Sequence, residues 1–81
     1  MNDITQPVIA VFDKKAGLFD NPFCVRHIAD AIREWDVIRK DTTHKYGKNP
    51  EDFDLIHIGT YNFSTAQTTN LQPHQPLSSG V

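Results

Sequence analysis

The sequence predicts a small α+β domain: an antiparallel sheet of two to four strands with one amphipathic helix on one face, oligomerising through the sheet. Two observations predict the strands. Val8-Ile9-Ala10-Val11-Phe12 and FDLIHIGTY (residues 53–61) are short apolar runs, rich in β-branched residues and bounded by turn residues. A third observation predicts the helix. Between about Arg26 and Lys40, Val25, Ile28, Ala29, Ile32 and Trp35 recur at i, i+3, i+4, i+7 and i+10, one apolar stripe of period 3.6.

Taken in order, residues 1–7 read as a loose polar lead-in ending at Pro7. After the first strand, Asp13-Lys14-Lys15-Ala16-Gly17 suits a tight turn, with Gly17 supplying a positive φ at little steric cost. Leu18-Phe19 and Phe23-Cys24-Val25 read as an irregular second strand broken around Asn21-Pro22. Pro22 lacks an N–H, which places the segment at a sheet edge or outside the sheet. On the helix, Arg26/Asp30 and Asp36/Lys40 are i,i+4 pairs of opposite charge, worth about 0.2–0.5 kcal/mol each. Asp41-Thr42-Thr43 and Gly47-Lys48-Asn49-Pro50 read as a helix exit and a loop. Residues 64–81 carry no charged side chain and are dominated by Thr, Gln, Ser and Pro. They are expected to form a polar, partly disordered tail, with at most a short edge strand up to Leu71, beside a single domain over residues 1–63.

Both strong strands place apolar groups on two faces, and one helix covers only one. A chain of 81 residues also buries only about 60% of its unfolded surface. A homodimer or higher homo-oligomer is therefore expected, the second copy covering the other face.

Composition narrows the function classes. No apolar run approaches the length of a membrane span, and one cysteine, Cys24, excludes an internal disulfide framework. Cys24 itself is expected to be a small buried hydrophobe. His27, His44, His57 and His74 form no i,i+3 or i,i+4 pair, so no metal and no other cofactor is expected; His57 reads as a hydrogen-bonded core residue. There is no phosphate-cradling glycine motif, and Arg26 and His27 near Cys24 are outweighed by its reading as a small buried hydrophobe, so an enzyme is not expected.

The net charge of −2 argues against wholesale neutralisation of a polyanion, yet the charge is unevenly spread. All eight basic residues fall within residues 14–48, where five acids leave a balance of +3. Local charge sets the field within a Debye length of about 8–10 Å. Phe12, Lys14, Lys15, Phe19, Phe23 and Arg26 interleave cations with flat rings, the two ingredients of sequence-tolerant single-strand binding.

Three blocks carry a resemblance: FDKKAGLFDNPF (residues 12–23), AIREW (residues 31–35) and KNPEDFDLIHIGTYN (residues 48–62). In this order they resemble the small non-structural protein of microviruses, in particular the gokushovirus-type single-stranded DNA phages. Asp13, Lys15, Ala16, Gly17, Pro22, Phe23, Arg33, Pro50, Asp52, Phe53, Gly59 and Thr60 sit on that pattern. After Tyr61 the chain departs from it, because Asn62-Phe63-Ser64-Thr65-Ala66-Gln67 lacks the glycine that would close a tight hairpin. The resemblance implies a non-enzymatic accessory protein that binds single-stranded DNA during genome synthesis and packaging, in the cytoplasm of the bacterial host cell. The candidate contacts are Lys14, Lys15, Phe19, Arg26, Arg33, Arg39 and Lys40. The alternative is an adaptor that links the viral replication initiator to capsid proteins without touching DNA.

Overall fold

The computed structural model describes residues 4–80. Strand outweighs helix, 47% against 23%, and the sheet has five strands. This corrects the expected α+β class: the domain is mostly β, with one helix of substance. The strands are β1 (Thr5–Asp13), β2 (Leu18–Phe19), β3 (Phe23–Cys24), β4 (Phe53–Asn62) and β5 (Gln67–Ser79). All pairings are antiparallel, in the order β2-β1-β4-β5, with β3 also on the outer edge of β1. Helix α1 (Ile28–Ile38) lies between β3 and β4 in the chain, followed by a one-turn helix α2 (Lys45–Lys48) and a 3-10 turn (Pro50–Asp52).

The largest correction concerns residues 67–79. They are not a tail: they form the longest strand of the sheet, paired with β4 over most of its length. A polar, proline-bearing segment is ordered by its neighbours rather than by its own propensity. Leu77 packs on the core, Gly80 N–H donates to the Phe53 carbonyl at 2.8 Å, and the Trp35 indole N–H donates to the Ser79 carbonyl at 2.9 Å. Thr5, Gln6 and Pro7, expected to be loose, belong to β1, whereas residues 1–3 of the lead-in and Val81 lie outside the described residues.

The core is made where α1 crosses the sheet. Ile9 and Val11 of β1, Phe53 and Leu55 of β4, and Ala31 and Trp35 of α1 form one buried cluster. The expected stripe is rotated: Ala31 is buried while Ala29 and Ile32 are exposed, so the line against the sheet runs Ile28, Ala31, Trp35, Ile38. The small Ala31 lets the helix approach, and the bulk of Trp35 sets which side turns inward. Asp30 pairs with Arg33 rather than with Arg26.

The face away from the helix is closed by the chain itself. Ala10 has no exposure and Ile56 is buried there. Phe12 packs at a tilt against Phe19 of β2 at 4.8 Å, and Phe19 meets His74 of β5 edge-on at 5.7 Å. In a flat sheet β2 and β5 would stand about 14 Å apart. Their contact means that the sheet coils until its two edges approach. The reason for expecting a second copy on this face is thereby removed, and oligomerisation through the sheet face is withdrawn with it. Cys24, expected to be buried, is exposed on the edge strand β3.

A bulge sits mid-sheet: between Val8 and Ile9 on β1 the partner jumps from Gly59 to His57, leaving Ile58 as the extra residue. Buried His57 shares an Nε2 hydrogen bond of 2.9 Å with the Gly59 carbonyl, the core role expected for it, while its Nδ1 has no partner among the described residues. Beyond the bulge β1, β4 and β5 continue past the helix as a three-stranded arm, and the molecule measures 44 × 23 × 17 Å.

Candidate nucleic-acid interface

The end of the molecule opposite the arm collects the chemistry. It is held together by turn hydrogen bonds. In the β1–β2 turn, Asp13 Oδ1 accepts from the Lys15 and Ala16 N–H groups at 3.0 and 3.1 Å, and Gly17 (φ 71°) donates to the Asp13 carbonyl at 2.8 Å. Lys14 N–H donates to the Asp52 carbonyl at 2.8 Å, fastening this turn to the 3-10 turn before β4. The His44 side chain caps α2, its Nδ1 accepting from Tyr46 N–H at 3.2 Å.

Between the β2–β3 loop and α2 lies an open cleft of about 520 Å³, lined by Phe19, Asp20, Asn21, Phe23, His44, Lys45 and Tyr46. Phe19 is 45% exposed and Phe23 40%. Tyr46 is the wall that joins cleft to core: its ring packs on Phe53 at 4.8 Å, on Trp35 at 5.4 Å and on His44 at 4.9 Å. Across the mouth, Asp20 accepts a hydrogen bond from the Tyr46 hydroxyl and an ion pair from Lys45 at 3.0 Å. Those two contacts, the tyrosine's first, hold the Asp20 carboxyl below its ordinary value. Burial, and then the Asp20 carboxylate, push the Tyr46 phenol above its own. The Lys45 ammonium also lies 5.4 Å from the Tyr46 ring centre.

The seven sequence-derived candidates divide. Phe19 lines the cleft. Lys14 and Lys15 are exposed on the neighbouring hairpin turn; Lys14 reaches Asp54 at 3.6 Å, and Lys15 makes no ion pair among the described residues. Arg39 and Lys40 leave the end of α1 sharing the Asp36 carboxylate, at 2.6 and 3.3 Å, and do not line the cleft. Arg33 is paired with Asp30 on the outer side of α1, beside a shallow groove formed by Ala29, Ile32, Asp36 and Ser78. Arg26 is exposed in the bend before α1. Neither arginine is brought to the cleft.

His44, Lys45, Tyr46 and Lys48 were not among the candidates. The signal was in the string HKYGK (residues 44–48), which interleaves cations and rings as residues 12–26 do, but it lies in a stretch that reads as a loop.

Rings with free faces beside ammonium groups can stack on flat aromatic ligands and hold their anionic linkers. No helix among the described residues is long and apolar enough to cross a membrane. A family model described as Phage ORF5 protein matches residues 6–81. No curated protein and no solved structure matches the chain.

Proposed function

The chain belongs to the Phage ORF5 protein family, and from that premise we propose that it binds single-stranded DNA without catalysis, at the end of the molecule carrying the aromatic cleft. The observation that carries this reading is the cleft itself, with Phe19 and Phe23 exposed beside Lys45. Such exposed rings can stack on an unpaired base, and Lys14, Lys15 and Lys48 supply ammonium groups for neighbouring phosphates. Stacking contributes roughly 1–3 kcal/mol per base, and each phosphate contact adds a salt-dependent term. Duplex DNA hides its base faces, so the site favours a single strand. On this reading the binding serves genome synthesis and packaging in the bacterial host cell, the role that the resemblance to microvirus non-structural proteins implies.

Fluorescence anisotropy of a labelled oligonucleotide at two salt concentrations tests the proposal. Expected are salt-weakened binding, a shallower salt slope for Lys14→Glu with Lys15→Glu, and loss of most affinity for Phe19→Ala with Phe23→Ala. No binding by the wild type at about 50 mM salt would overturn it and favour the adaptor reading.

A further inference from the structure

The free edge of β5 has two halves of different character. In the second half, Pro73 and Pro76 lack N–H groups, the pairing with β4 is irregular, and the end is roofed by the Trp35 indole. These are the usual guards of a sheet edge. Residues 67–70 (Gln-Thr-Thr-Asn) have none of them. All four are exposed and uncharged, without proline, in regular register with Gly59, Thr60, Tyr61 and Asn62. The opposite edge of the arm is guarded: Pro7 sits in it, and the Pro7 carbonyl already accepts from Val25 N–H at 3.1 Å.

Charge narrows the partner. Residues 4–12 and 55–80 carry no Asp, Glu, Lys or Arg, so the described part of the arm is free of formal charge, and every ion pair among the described residues lies toward the other end. A neutral edge offers nothing to a charged partner strand, but it pairs with its own copy without like-charge repulsion. An antiparallel edge is also self-complementary about a two-fold axis. We infer that residues 67–70 of β5 pair with the same residues of a second copy of this chain, joining two arms into a continuous six-stranded antiparallel sheet. The two clefts then stand at the far ends of the dimer, and a bound strand would engage two sites rather than one.

Sedimentation velocity of the full chain without DNA, over a range of concentrations, tests the dimer apart from the proposed binding activity. Wild type is expected to shift from monomer to dimer as concentration rises. Thr68→Lys with Thr69→Lys, both exposed, should remain monomeric with an unchanged circular-dichroism spectrum. Hydrogen exchange on the wild type supplies a reading independent of that variant: the amides of residues 67–70 should gain protection with concentration. A wild type that stays monomeric throughout, a folded variant that dimerises equally well, or protection that is flat with concentration would overturn the assignment.

Discussion

The turns that close the β1–β2 and β4–β5 hairpins stand at opposite ends of the sheet and are built on one scheme. In each, an Asx side chain accepts from two successive N–H groups: Asp13 from Lys15 and Ala16, Asn62 from Ser64 and Thr65. In each, the fifth residue closes a backbone bond onto the first, Gly17 onto Asp13 at 2.8 Å and Ala66 onto Asn62 at 2.7 Å. Each fifth residue has a positive φ, 71° at Gly17 and 61° at Ala66. Between these fixed points the chains diverge. One turn carries Lys14 and Lys15 beside the cleft, and the other carries Phe63, Ser64 and Thr65 on a neutral arm with Phe63 half exposed. The backbone geometry is common property, whereas the side chains at the second to fourth positions decide which end meets polyanions and which end is free of them.

The comparison can be broken first at the join between core and strand. Trp35→Ala removes a buried ring and the indole bond to the Ser79 carbonyl, and should cost about 3–5 kcal/mol. Chemical denaturation would measure it, and loss below 1 kcal/mol would mean that β5 is not held from the helix side. Gly59→Ala strikes the arm alone. Its Cβ would stand 2.2 Å from the Thr69 carbonyl oxygen, so β4 and β5 must separate there, at about 1–3 kcal/mol. Amide exchange should rise in residues 67–70 and stay unchanged near the cleft.

The charged end should respond to pH. With its carboxyl held below the ordinary 3.8, Asp20 contributes stability above that value and loses it as pH falls toward the lowered one. Tyr46, with its phenol raised, contributes below its ordinary 10.0 and loses that as pH rises beyond it. Stability and tyrosine emission should therefore fall off at both extremes, and Asp20→Asn should flatten the acid limb at a cost of about 1 kcal/mol near neutrality. An acid limb unchanged in that variant would assign it to another carboxylate.

The smallest effects sharpen the turns themselves. Gly17→Ala meets no atom within 4 Å, so its penalty, about 1 kcal/mol, is purely conformational. Ala66→Gly should stabilise by about 0.5–1 kcal/mol by relieving the same strain. Thermal melts that moved in the same direction for both would show that the two turns do not share a conformation in solution.

Local chemistry was legible wherever neighbours in the chain decide the outcome. The Asp13 turn with Gly17 at positive φ, the break at Pro22, the β-branched cores of β1 and β4, and the existence of α1 all follow from residues a few places apart. Three features do not. The order of β5 comes from its ladder with β4 and the Trp35 contact 44 residues away, which no local propensity of a Thr, Gln and Pro segment reports. The rotation of α1 that buries Ala31 rather than Ile32 is set by the sheet it meets. The cleft needs Phe19 of β2 and Tyr46 of α2 to face each other, and the chain between them, β3 and α1, returns there only through its packing on the sheet. Residues near one another in the chain settled the Asp13 turn, the strands β1 and β4, the presence of α1 and the confinement of cations to residues 14–48. Tertiary structure decided which of those cations stand beside exposed rings, because side chains distant in the chain meet only after the sheet has coiled.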